Sequence, residues 1–317
     1  MVVGGFCTHA RPESRSRHAA CLESRVNGLA QMNMVEMTET MERPFKDGVM
    51  VPVDFSKQSE VALRFGFEIA RKTSSTVRLL HVLETPYEFA SRRNEWVDRE
   101  HANARKELQS IRDGFLAVDE FAGLDVEIHV QPGIPTQAIL EITRQQPEQL
   151  VVMGLSQETG LNRMLYGSVT NRVLLESGSP ILAVSDQLDY RPFERIVFAT
   201  DFRERDVEMM LRSRALAENL GVDMECIHFL TSREQTQEVY GKRTQLEGEL
   251  DYQVVVQLMV ADDFMEGVSR YLAKRPRTLL VIGRYRTSFF EWLLSNPPAS
   301  AIAQVARVPL IMLPGNG

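Results

Sequence analysis

Short apolar-rich runs alternate along this chain with stretches whose apolar residues recur at helical spacing. Val49–Val53, Val77–Leu83, Val126–Val130, Leu150–Met153 and Ile181–Val184 have the length and composition of strands buried on both faces. After the first run, Val61, Ala62, Phe65, Ile69 and Ala70 fall along one stripe of a predicted helix. A long charged helix is predicted over about residues 87–115. Its apolar residues Phe89, Trp96, Leu108 and Ile111 are sparse, so most of its surface is expected to be solvated. Further helices are predicted to open near Pro135–Thr136 and at Ser168. Strands and helices in this alternation predict an α/β fold with a parallel sheet wound on both sides. No such periodicity is visible before about Lys46.

The pattern then repeats. A shift of 147 residues sets VMVPVDFS beside IVFATDFR, pairing Asp54 with Asp201, Ala70 with Ala217, His81 with His228 and Leu83 with Leu230. A shift of 129 pairs LVVMG (150–154) with LLVIG (279–283), Pro147 with Pro276, and SPILAV (179–184) with VPLIML (308–313). The second copy is therefore 18 residues shorter in its middle. Paired landmarks at constant spacing mark a duplicated unit. The organisation predicted is an extension over residues 1–46, one domain over 47–187 and a second over 195–315, joined by the polar segment Asp186–Glu194. The extension reads as disordered, with an organelle presequence or an upstream start codon as alternatives.

Composition narrows the function. A length of 317 residues suits two domains with two cores, and the formal net charge is −7. Mild acidity argues against nucleic-acid binding, which needs a basic face to displace counterions. Cys7, Cys21 and Cys226 are widely spaced and odd in number, so neither a disulfide framework nor a zinc site is expected. No apolar stretch approaches the ~20 residues that span a bilayer. A reducing, cytoplasmic setting is expected.

In a doubly wound sheet, ligands bind beyond the carboxyl ends of the strands. That edge should gather Asp54, the residues after Leu80, Gly133 and the loop after Met153. Gly154 ends a strand, where the missing Cβ would let a ligand approach the backbone. Gly167-Ser168 opens a helix, whose free N–H groups and positive dipole end suit phosphate oxygens. Ser168 is placed to cap that helix and to offer its hydroxyl.

VPVDFS at the first strand, LLHVL at the second, VQPGIP before the third helix and the glycine loop together resemble the universal stress protein family. The resemblance covers Val49–Val184 and extends, in the second copy, over nearly all of Arg195–Leu313. It implies two tandem doubly wound, Rossmann-like α/β/α domains forming an intramolecular pseudo-dimer through their last strands. Whole chains would remain free to form a homodimer. It also implies an ATP site, with Pro52, Asp54 and Val82 toward the adenine. Met153, Gly154, Gly167, Ser168 and Val169 would lie along the ribose and phosphates, and Mg2+ would accompany the nucleotide. Members that bind ATP carry G-x2-G-x9-G-[S/T] in this loop. Here the second glycine is Gln157, whose side chain would either crowd the phosphates or hydrogen-bond them. The second copy keeps Gly283 and Asp201 but has Arg286 and Asn296-Pro297 in the loop, and proline lacks the N–H a phosphate would need. Its site is expected to be degenerate.

Plainer readings stand beside these. Asp54 and Asp201 follow a first strand, where an Asp serves as a helix N-cap. His81 and His228 recur at a strand end as hydrogen-bonded structural residues, while His101 and His129 show no metal-like spacing. Phe289, Phe290 and Trp292 read as core or interdomain contacts, and Cys226 as an inward-facing strand residue. No GxSxG, HExxH, GxxxxGK[ST] or dinucleotide GxGxxG is present, so no catalytic role is expected. Any ATP turnover would be slow and incidental. The leading expectation is a stress-response regulator or scaffold that binds an adenine nucleotide in the first copy and acts through a protein partner. A scaffold with both sites decayed is the alternative, and an adenylate-handling enzyme a third. That enzyme would need an acceptor-binding segment, for which only the charged helix near Arg92–Arg105 offers itself.

Overall fold

Val49–Pro52 forms the first strand, β1, and its register places every later element. The protein is described by a computed structural model covering residues 44–84, 93–155, 168–203, 205–230, 236–250, 254–262, 264–284 and 308–314. Residues 40–317 make up one compact unit. Phe45, just ahead of the expected domain start, is already buried.

In the first copy β1 is followed by α1 (Lys57–Thr73), β2 (Val77–Leu83), α2 (Arg93–Leu116), β3 (Val126–Pro132), α3 (Pro135–Gln145), β4 (Leu150–Leu155), α4 (Ser168–Glu176) and β5 (Ile181–Ser185). The second copy runs β6 (Arg195–Ala199), α5 (Asp206–Leu220), β7 (Asp223–Leu230), α6 (Thr236–Glu249), β8 (Val256–Val260), α7 (Phe264–Leu272), β9 (Thr278–Gly283) and β10 (Leu310–Leu313). All ten strands join one sheet in the order β3-β2-β1-β4-β5-β10-β9-β6-β7-β8. The order of the second half reverses that of the first, so the duplication in sequence becomes a two-fold relation in space. Neighbours pair in parallel except at the centre, where β5 and β10 are antiparallel with Leu182 opposite Ile311. These are the last strands of the two copies, as the family resemblance implies.

One face of the sheet carries a continuous apolar core through both copies, from Met50, Leu80 and Met153 to Ala199, Ile227 and Ile282. On the other face α1 packs over β1 and β4, and it also meets α5 of the second copy. A bidentate ion pair from Arg212 on α5 to Glu148, at 2.9 and 2.8 Å, ties the copies at their edge. The predicted linker is not a free tether: Tyr190 and Phe193 set their rings 5.2 and 6.3 Å from that of Phe65 on α1.

Helix α2 is largely solvated, as its composition suggests, with only Ala104 and Leu108 fully buried among its described side chains, and it turns one face inward. Trp96, Glu100, Ala104, Leu108, Ile111 and Phe115 follow helical spacing along one face, and all are buried or half-buried. Phe115 stacks on Phe67 of α1 at 4.0 Å, which anchors the carboxyl-terminal half of α2. His101 reaches the edge strand, its Nε2 lying 3.2 Å from the Val130 carbonyl. The helix therefore lies against β2 and β3 with its first turns over the carboxyl ends of the strands.

Candidate functional site

The loop after β1 builds one wall of a cleft at that end. Ser56 is the N-cap of α1, its Oγ accepting from the Ser59 N–H at 3.3 Å. The sequence suggested Asp54 as the cap; the cap is Ser56, and Asp54 supports it from two residues earlier. Its Oδ1 accepts from the Ser56 N–H at 3.0 Å and the Ser56 hydroxyl at 2.5 Å. Burial pushes the Asp54 carboxyl up, but these hydrogen bonds outweigh it and hold the carboxyl below the ordinary 3.8. Between the two residues Phe55 adopts φ 62°, a left-handed conformation that costs a bulky side chain energy. Its ring lies on His81 at 4.7 Å, and His81 Nδ1 donates to the Val53 carbonyl at 2.6 Å.

The second copy repeats this device. Phe202 has φ 55°, its ring sits 4.5 Å from His228, and His228 Nδ1 donates to the Thr200 carbonyl at 2.8 Å. The paired histidines are structural clips between strands.

The cleft has a volume of about 390 Å3, within the range of small-molecule sites. Of the residues predicted to hold a nucleotide, Pro52, Asp54, Val82, Met153, Gly154 and Val169 all line it. Ser168 is the first residue of α4, so a helix N-terminus opens at this wall. Gly167, Gln157 and Gly160 lie outside the described residues. Val169 and Thr170, in the first turn of α4, border the cleft, with the Thr170 hydroxyl 3.4 Å from the Gly154 carbonyl.

Gly154 has a role the sequence did not show. A Cβ there would lie 2.2 Å from the Gln58 carbonyl oxygen in the first turn of α1. The bare backbone at this point admits a helix before it admits a ligand. Sequence reasoning also missed Trp96 and Glu100 of α2, Glu84 after β2, and Pro135 and Ile139 of α3, all of which line the cleft. The spacing of Trp96 and Glu100, one helical turn apart, was the available signal.

In the second copy the equivalent space holds aromatic side chains. Phe229 stands where the first copy has Val82, and Phe264 opens α7 where Pro135 opens α3. Their rings meet edge-on at 5.8 Å, and Phe229 is buried. A Cβ on Gly267 would fall 2.4 Å from the Phe229 ring, so α7 is seated directly on it. Arg286 and Asn296-Pro297, on which the degenerate reading of this copy rested, lie outside the described residues, as do Phe289, Phe290 and Trp292. Gly283 ends β9, followed by Arg284, whose guanidinium is half-buried and held below its usual pKa by that burial. The loop after β6 is closed by a carboxylate of its own: Asp206 Oδ2 accepts from the N–H groups of Asp201 and Arg203 at 3.0 and 3.1 Å. Cys226 is buried in β7, and burial pushes its thiol well up.

Among the described residues no cluster of three or more His, Cys, Asp or Glu side chains is arranged to hold a metal ion, and no helix is long and apolar enough to cross a membrane.

Residues 47–185 match the model of the universal stress protein family. Two universal stress proteins of Methanocaldococcus jannaschii are each 25% identical to this chain over 143 and 161 residues, covering 43% of it and 80% and 93% of their own lengths. Among solved structures, a universal stress protein from Archaeoglobus fulgidus covers 86% of this chain and 100% of its own, at 17% identity and a TM-score of 0.63. A functionally unknown protein from Pseudomonas aeruginosa covers 87% of this chain and 94% of its own, at 15% identity and a TM-score of 0.54. These last two similarities concern the fold, and they run across both copies.

Proposed function

Residues 47–185 form a domain of the universal stress protein family, and from that premise we propose that the first copy binds an adenine nucleotide while the second serves as its packed, ligand-free counterpart. The observation that carries this is the asymmetry at one position: Val82 borders an open cleft, and its counterpart Phe229 is a buried ring under α7. The cleft suits such a ligand chemically. Pro52, Val82, Pro135, Ile139 and Met153 give apolar walls for a base, and the first turn of α4 offers backbone N–H groups to an anion. Mg2+ would accompany the nucleotide rather than be held by a protein site, since no metal-binding cluster is found among the described residues.

The role is regulatory and non-catalytic. Ligand binding stabilises the first copy, and the sheet shared through β5 and β10 carries that change to the second. Calorimetric titration of the full chain with ATP and Mg2+ tests the reading. Heat of binding with one site per chain, lost in Val82→Phe, is expected. An absence of heat at millimolar ligand, for nucleoside and nucleotide alike, leaves a nucleotide-free scaffold as the function.

A further inference from the structure

A second hollow opens between α1 and the carboxyl-terminal turns of α2. Its volume is about 500 Å3, larger than the cleft at the strand ends and within the range of small-molecule sites. Val53 and Leu63 line it from β1 and α1, and Ile111 and Phe115 line it from α2. Phe55 and Val118 border it while staying 40% and 43% exposed. The two spaces share Val53, Ser56 and Ser59 of the loop after β1, but they are distinct. Phe55 lines the hollow and its neighbour Asp54 the cleft, and no residue of β4, α3 or α4 lines the hollow.

Gly114 stands on the α2 wall for no reason of backbone or packing. Its φ is not positive, and a Cβ there would meet nothing within 4 Å. Gly154 and Gly267, by contrast, make room for another part of the chain. Glycine within a helix is less favourable than alanine, and what the missing side chain does here is widen the hollow. The wall itself is an addition of the first copy, since α2 has 24 residues and its counterpart α6 has 14.

The lining sets the chemistry of a ligand. Arg64 is the one cation among the lining residues, and its Nη2 already donates to Glu68 and Glu120 at 2.8 Å each. An anion would compete with two carboxylates for that guanidinium and meet Glu60 as well. A cation would gain little from Glu60, which is exposed, and would lose hydration against the apolar floor. An uncharged molecule escapes both costs, and Ser110 offers it a hydroxyl from α2.

We propose that this hollow is a second ligand site, for an uncharged, mainly apolar small molecule that packs between α1 and α2 and hydrogen-bonds the Ser110 hydroxyl. The site stands independently of nucleotide binding.

The probe that tests it is N-phenyl-1-naphthylamine, a neutral aromatic amine whose fluorescence rises in apolar surroundings, titrated into the full chain. Saturable enhancement at one probe per chain is expected. Binding should be about tenfold weaker in Gly114→Phe, whose ring enters from the α2 wall, and in Val118→Asp, which sets a charge at the rim. Both variants should fold. The Cβ at Gly114 meets open space, and Val118 caps the short turn Asp119–Phe121, a position that suits aspartate. Circular dichroism checks this. Val82→Phe, which fills the cleft instead, should leave probe binding unchanged. The same ring system carrying a sulfonate, 1-anilinonaphthalene-8-sulfonate, should bind several-fold more weakly. An absence of saturable binding by the neutral probe, or binding that Gly114→Phe and Val118→Asp leave intact, overturns the site. Loss of binding in Val82→Phe alone puts the probe in the cleft and overturns it equally. Tighter binding of the sulfonate overturns the assignment of an uncharged ligand.

Discussion

The missing Cβ of Gly154 and the carbonyl oxygen of Gln58 share one space: an added methyl would lie 2.2 Å from that oxygen. The contact is with backbone, in the first turn of α1, so no side-chain rotation relieves it. Gly154→Ala must push α1 away from β4 and disturb the N-cap at Ser56. A loss of about 1–3 kcal/mol is expected, in the range of overpacked cores. Urea denaturation of the variant measures it, and unchanged stability would mean that α1 sits further from β4 than described. Binding of any ligand should weaken too, because Asp54 and Ser56 hang on the same turn.

Val82 and Phe229 are counterparts, and exchanging their characters tests what each copy does. Val82→Phe in the first copy is expected to fill the cleft beneath Trp96 and Ile139, abolishing nucleotide binding while leaving most of the stability. Phe229→Val in the second copy removes a buried ring from between β7 and α7. It should cost about 2–4 kcal/mol, as large-to-small core changes do. If Phe229→Val proves as stable as the parent chain, the ring is not the support of α7. Calorimetry of both variants, with ligand and with heat alone, reads both effects.

The fold was legible in the chain because a duplicated sequence exposes its own landmarks. Asp54 and Asp201, or Gly154 and Gly283, fix strand ends without reference to propensity, and α3 and α4 begin near Pro135 and at Ser168 as their sequences suggest. The cleft was half legible. Pro52, Val82 and Met153 could be placed because they sit on strands whose ends are known. Trp96 and Glu100 were not, because α2 is mostly polar and its inward face is set by tertiary contacts such as Phe115 on Phe67. The second copy was read from its loop alone. The pair Val82 and Phe229, flanked by the aligned residues His81 and His228, was in view and carried the plainer signal. Gly154 was read for its openness to a ligand, since a collision with α1 depends on how a helix 96 residues earlier is packed.

Asp54 and Asp206 serve the two copies' first loops and should titrate on opposite sides of 3.8. Asp54 is lowered by its hydrogen bonds from Ser56 despite burial, so its contribution to stability is present above 3.8 and lost as pH falls through its folded-state value. Asp206 is raised by burial, which the hydrogen bonds from Thr200, Arg203 and Asp201 only partly offset. Its charge therefore weakens the fold above the raised value, and the penalty is relieved as pH falls toward 3.8. Carboxyl carbon shifts followed by NMR should show the two midpoints in that order. Against Asp206→Asn, the parent chain should gain stability as the solution is acidified from pH 7 to about pH 4. A difference independent of pH would mean that burial leaves Asp206 titrating in the fold as it does in the unfolded chain.

Trp96 makes the cleft visible. The chain has two tryptophans, Trp96 and Trp292, so Trp292→Phe leaves one indole, at the wall formed by α2. A base entering between Trp96 and the apolar residues of β2 and α3 changes the polarity around that ring and stacks against it. Addition of adenosine to the single-tryptophan variant is expected to quench the fluorescence and shift its maximum, with saturation at the stoichiometry of one site per chain. Introducing Val82→Phe into the same variant should remove the response, because the ligand has lost its place while the reporter remains. Should the emission stay constant while calorimetry records binding, the ligand sits away from α2.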